Sequence, residues 1–197
     1  MGVLHLREDM GKIPRILAFS GSARRESLNK KLLAVAVEAV RLAGGEVTHL
    51  ELNDYSLPLY DGDLEDKEGL PANAGKLIGL IASHDALLIA SPEYNTQLTP
   101  LLKNTIDWCT RGEGNPFVGR VAAVVSASPS ALGGIRSLQH TQQILLKLGC
   151  FVVPAQTTVA QADKAFEGSG VLTDAPAQKS VQALAAALVD LTRKMTA

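Results

Sequence analysis

The sequence predicts an α/β chain built around a single parallel sheet. Three observations predict it. Short apolar runs of strand length alternate with segments of helical periodicity, the βα order repeats five times, and small aliphatics dominate a chain that is 46% hydrophobic but only 4% aromatic. Such a core suits parallel strands covered by helices on both faces. Alternating strands and helices also imply right-handed crossovers.

The elements follow in order. Residues 15–20 (RILAFS) are short and apolar, as a buried first strand requires. Leu28, Leu32, Val35, Ala36, Ala39 and Ala43 recur at helical spacing, and Gly44-Gly45 stops that helix. Residues 46–52 alternate and read as the second strand. Residues 53–73, rich in Asp, Pro and Gly, read as a long loop, and residues 74–83 as a shorter helix. Residues 86–90 are a continuously apolar third strand. Leu98, Leu101, Leu102, Thr105, Ile106 and Cys109 mark the next helix, and residues 121–125 a fourth strand. Leu138, Thr141, Leu145 and Leu148 mark a helix that Gly149 ends; residues 150–153 are the last core strand. Val181, Leu184, Ala185 and Leu188 give the final helix. Residues 1–13 are expected to be a flexible tail and residues 14–197 a single domain.

Composition excludes several classes. The formal net charge is −1, with no basic face for nucleic acid and no polybasic segment for a membrane surface. No apolar run reaches the ~20 residues that span a bilayer. The first residues show neither an apolar core nor a cleavage pattern, so a cytoplasmic location is expected. Cys109 and Cys150 are not a CxxC pair and are expected to be reduced thiols. His5, His49 and His84 form no metal spacing, and no metal is expected.

Five βα units fit either the strand order 2-1-3-4-5 or half of a Rossmann dinucleotide fold. Three chemically unusual loops follow strands 1, 3 and 4, which are adjacent only in the first arrangement. Ligands bind beyond the carboxyl ends of such strands. The first loop runs Ser20-Gly21-Ser22-Ala23-Arg24-Arg25-Glu26-Ser27-Leu28-Asn29 into a helix. A helix N-terminus has unpaired amides and a positive dipole, so a phosphate is its natural occupant. Ser22, Ser27 and Asn29 add donors and Arg24 a permanent cation. The competing view is that Ser27 only caps the helix. Neither GxxxxGK nor GxGxxG occurs. The second loop, Ser91-Pro92-Glu93-Tyr94-Asn95, offers backbone groups that can pair with a planar heteroaromatic ring, or is an ordinary turn. The third, residues 126–136, holds Ser126, Ser128 and the Gly133-Gly134 pair, which permits close approach to a ligand or merely connects to the next helix.

Gly21-Ser22-x-Arg24-x-x-Ser27-x-Asn29, Pro92-Glu93-Tyr94-Asn95 and Leu102-Lys103-Asn104-x-Ile106-Asp107-Trp108 resemble the signatures of the NADPH-dependent FMN reductase family, which includes bacterial chromate and quinone reductases. Gly133-Gly134-x-Arg136-Ser137 resembles that family's fourth-strand loop. The resemblance implies a flavodoxin-like three-layer sandwich that binds FMN. Its phosphate would sit on Ser22, Arg24, Ser27 and Asn29, and its ring against Pro92, Glu93, Tyr94 and Asn95, with Ser128 and Gly133 nearby. The full candidate set adds Ser20, Leu28 and Ser126; no side chain is assigned as a catalytic nucleophile. NADPH or NADH would supply hydride, and a small acceptor such as a quinone, chromate or an azo compound would take the electrons in ping-pong fashion. Supply of free reduced flavin and non-enzymatic electron carriage are the alternatives. The resemblance also implies a homodimer or homotetramer, with residues 98–109 a candidate interface. Asp107-Trp108 reads either as an acid beside a ring or, as expected here, as Trp108 packed between subunits with Asp107 in a local hydrogen bond. Arg111 and Arg136 are candidates for the extra phosphate of NADPH, and His140 is expected to bond a neighbour.

Overall fold

The computed structural model describes residues 12–168 and 170–197. Of the expected tail, only Lys12 and Ile13 fall within these; Lys12 Nζ lies 2.6 Å from Asp85 Oδ1. The elements are β1 (Arg15–Ser20), α1 (Leu28–Leu42), β2 (Glu46–Leu50), a 3-10 turn (Leu52–Tyr55), α2 (Gly62–Glu68), α3 (Ala72–Ser83) and β3 (Ala86–Ala90). Then come β4 (Glu93–Tyr94), β5 (Gln97–Leu98), α4 (Pro100–Cys109), β6 (Val121–Ala127), α5 (Ile135–Lys147), β7 (Phe151–Val152), β8 (Thr157–Val159), α6 (Ala162–Ala165) and α7 (Ala175–Thr196).

The main sheet runs β2-β1-β3-β6-β7, all parallel, with β8 also pairing β6. This is the expected order 2-1-3-4-5, but the fifth strand is split. β7 pairs the start of β6 and β8 its end. Pro154 between them lacks the N–H a continuous ladder needs.

Period two along each strand sends side chains to opposite faces. Ile16, Ala18, Leu88 and Val125 join one core beneath α1 and α7. Leu17, Phe19, Leu87, Ile89 and Val124 join a second beneath α3, α4 and α5. With both faces covered, β3 and β6 are buried at every position, which is why they read as unbroken apolar runs.

Two further elements differ from the reading of the sequence. Residues 53–73 are not one loop. They hold the 3-10 turn and α2, capped by the Asp61 side chain accepting from Asp63 N at 2.9 Å. No α2 residue is buried, so no apolar stripe could announce it. Glu65 accepts from Arg111 Nε on both oxygens at 2.9 Å and from the Tyr60 hydroxyl at 3.0 Å. The second loop continues into an antiparallel hairpin, β4 with β5. Its two turn residues, Asn95 and Thr96, have φ of 49° and 70°, as a type I′ turn requires.

Candidate functional site

The site grows from strand ends that finish level. Ser20 is in register with Ala90, and Ala90 with Val125. Gly21 N donates to Ala90 O and Ser91 N to Val125 O, each at 2.9 Å. The three loops therefore leave the sheet side by side.

The first loop is clamped from behind. The Thr99 hydroxyl, which caps α4, donates to Gly21 O, and Asn53 Nδ2 donates to Ala23 O at 3.0 Å. Gly21 lies against α4, where an added Cβ would stand 2.8 Å from Leu102 Cβ. Ser27 occupies the N-cap of α1 with extended backbone, yet its hydroxyl makes no capping bond. The first intrahelical bond is Lys31 N to Ser27 O, which leaves the amides of residues 28–30 without helical partners. No acidic residue sits in that first turn. The Arg24 side chain is exposed and makes no ion pair among the described residues. Ser20 Oγ is buried and has no hydrogen-bond partner among the described residues. Uncommitted amides, a hydroxyl not used as a cap and a guanidinium without an ion pair among the described residues are the kind of donors a phosphate takes.

Ser22, Arg24, Ser27, Leu28, Asn29, Pro92, Glu93, Tyr94 and Ser128 line one crevice, of about 100 Å³, together with Ala127 and Pro129. A larger concavity, about 430 Å³ between α1 and α7, has mainly apolar walls such as Val35, Leu42 and Val171, and none of the three loops reaches it. Four expected residues lie off the crevice lining. Ser20 is buried at the end of β1. Ser126 is fully buried and donates to Ser91 O at 2.7 Å. Gly133 backs onto the chain after β8, where a Cβ would meet Ala160 N at 2.9 Å. Asn95 is in the exposed hairpin turn. Asn29 lines the crevice, but its amide is spent. Nδ2 donates to Ala127 O at 2.8 Å and Oδ1 accepts from Ala127 N at 3.0 Å, tying α1 to β6. Ser91, Thr99, Ser137 and Thr141 brace the loops and were not among the expected residues. The available signal was hydroxyl side chains recurring one turn apart, at 137 and 141, beside Leu138 and Leu145 on the buried face of α5.

The family model described as NADPH-dependent FMN reductase matches residues 14–164. The chain belongs to that family. The NAD(P)H-dependent FMN reductase of Pseudomonas aeruginosa is 35% identical over 170 residues, covering 85% of this chain and 89% of that protein. The quinone reductase of Escherichia coli K12 is 33% identical over 139 residues, covering 71% and 73%. Among solved structures, the flavoenzyme NAD(P)H:(acceptor) oxidoreductase of Paracoccus denitrificans superposes with a TM-score of 0.78 at 29% identity, covering 94% of this chain and 100% of that one.

Family membership makes FMN the group to test against the crevice, and the donors present fit it. For a phosphate, the Ser22 and Ser27 hydroxyls, the α1 amides and Arg24 are the donors on one loop. For a planar ring, Pro92, Glu93 and Tyr94 supply one wall of the crevice. Other residues singled out in the sequence are placed as follows. Trp108 is not between subunits: it is fully buried, donates Nε1–H to Pro58 O at 2.8 Å and meets the Tyr60 ring edge-on at 5.1 Å. Arg111 pairs with Glu65 and Arg136 with Glu93, and each arginine side chain remains about half exposed. His140 does not bond a neighbour through Nδ1, which is buried and unpartnered among the described residues.

Proposed function

We propose that this chain is an NAD(P)H-dependent oxidoreductase that holds FMN in the crevice and passes electrons by a ping-pong cycle to small acceptors such as quinones, chromate or azo compounds. The observation that carries the reading is Ser27: it sits where a helix cap belongs, yet leaves its hydroxyl and the α1 amides open toward Arg24 and the second loop. FMN, when bound, supplies the hydride-accepting ring and the two-electron store.

The chain's own residues bind and orient. Ser22, Ser27, Arg24 and the α1 amides would hold the phosphate, whose charge the helix dipole favours. The turn at residues 92–94 presents backbone donors and acceptors to the ring's polar edge. Tyr94, about half exposed at the crevice lip, would flank the ring and help to orient it. No side chain is asked to act as nucleophile. A cytoplasmic location and a homodimer or homotetramer belong to the same proposal. A groove of about 470 Å³ between α4 and α5, walled by Leu98, Ile106, Ile144 and Leu148, supports the oligomer.

The test is steady-state oxidation of NADPH and of NADH by the purified, FMN-loaded chain with a quinone. Turnover with parallel double-reciprocal lines is expected. A chain that binds FMN but fails to oxidise either nucleotide would be a carrier, and the proposed activity would be wrong.

A further inference from the structure

Glu93 lines the crevice, but its carboxylate is engaged elsewhere. Oε2 accepts from Arg136 N at 3.1 Å and from Ser137 N at 3.3 Å. Oε1 accepts from Arg136 Nε at 3.1 Å and lies 2.9 Å from Nη2. These amides belong to the first turn of α5. That helix starts at Gly134, which has φ 84° and no side chain with which to cap. A side chain there is excluded, because a Cβ would stand 2.1 Å from Ser126 Oγ. Glu93, from a different loop, supplies the missing cap and a charge that suits the helix's positive end.

The same turn is bonded along its whole back. Ser137 Oγ donates to Pro92 O at 2.8 Å. Ser91 Oγ lies 2.7 Å from Ser137 Oγ and 2.8 Å from Thr141 Oγ1, and Ser126 Oγ donates to Ser91 O. All four hydroxyl residues are fully buried. A satisfied buried polar network is rigid. It also supports a costly tip: Thr96 is β-branched at φ 70°, which persists only where the surroundings over-determine it.

We propose that Glu93 is a positioning residue. By capping α5 from outside, its carboxylate fixes the backbone of residues 92–94 in the register the flavin ring reads, and it makes no ligand contact of its own. The proposal rests on the FMN reading above. A merely stabilising role would change folding stability without moving a property of the ring.

The test loads wild type, Glu93→Ala, Glu93→Gln and Ser137→Ala with FMN. It records the visible band shape of the bound flavin, the single-turnover rate of reduction by NADPH, and thermal stability. Glu93→Ala is expected to bind FMN through the intact phosphate loop, to show a band shape moved toward that of free flavin, and to slow single-turnover reduction by about tenfold or more. Glu93→Gln keeps one oxygen for the α5 amides and is expected to recover most of that loss. Ser137→Ala is nearly isosteric and is expected to slow reduction in the same direction, so it carries the test if Glu93→Ala fails to fold. Glu93→Ala with wild-type band shape and rate, whatever its stability, would overturn the proposal. So would a Glu93→Gln as impaired as Glu93→Ala, since the charge rather than the cap would then matter. A wild-type chain that binds no FMN would sink the underlying reading as well, and is thereby distinguished from failure of the Glu93 step alone.

Discussion

Ser27 and Asn29 sit two residues apart in one loop and do different work. Ser27 leaves its hydroxyl open, while Asn29 gives both ends of its amide to the Ala127 backbone. Both were legible as polar residues at a helix start. Their division of labour was not, because Asn29's partner lies 98 residues away in sequence. Cysteine shows the same limit. Spacing alone excluded a redox pair; only the fold shows how inert the thiols are. Burial pushes Cys109 up to about 12, and it pushes Cys150 up to about 12 despite the opposing charge of Arg120. At neutral pH both are therefore neutral thiols sealed in the core under α3, α4 and α5. Titration of the native chain with a disulfide reagent at pH 8 is expected to give essentially no reaction, rising to both cysteines in denaturant. Fast reaction of either thiol in the native chain would contradict that burial.

Elements with strong periodicity were read correctly because burial and pattern share a cause. The apolar stripes of α1, α4, α5 and α7 face the two cores. The split fifth strand, the β4–β5 hairpin and α2 escaped notice for physical reasons. The first is cut by a proline, the second has two residues per strand, and the third buries nothing. α2 is held by Glu65, whose hydrogen bonds from Arg111 hold its carboxyl below the ordinary value of 4.5, while Tyr60 bonded to the same carboxylate is raised above 10.0. A carboxyl whose folded value is depressed contributes stability that is present above the unfolded value and lost as pH falls through the folded one. The clip is thus expected to release only at pH below 4.5. Trp108, the single tryptophan, touches Tyr60 and reports it. Its fluorescence is expected to stay flat from neutral pH down to about the ordinary carboxyl value and to change below it. In Arg111→Ala the transition moves to higher pH; an unmoved transition would show that Glu65 does not govern this segment.

At the scale of the whole molecule, the sheet fixes the site before any side chain does. Parallel strands of matched register bring β1, β3 and β6 to a common edge, and three sequence-distant loops meet there. Two cores, one on each face, make that edge rigid. At this edge the Arg24 guanidinium makes no ion pair among the described residues and the Ser27 hydroxyl makes no capping bond. The central claim is that this loop is a phosphate cradle. The measurement that reaches it most directly is titration of the apoprotein with FMN and with riboflavin, which lacks the phosphate, for wild type and Arg24→Ala. Loss of one charge-assisted contact of about 1.5–3 kcal/mol predicts FMN binding weakened about 10- to 100-fold in Arg24→Ala, with riboflavin binding nearly unchanged. Equal binding of FMN and riboflavin by the wild type, or FMN affinity untouched by Arg24→Ala, would contradict it.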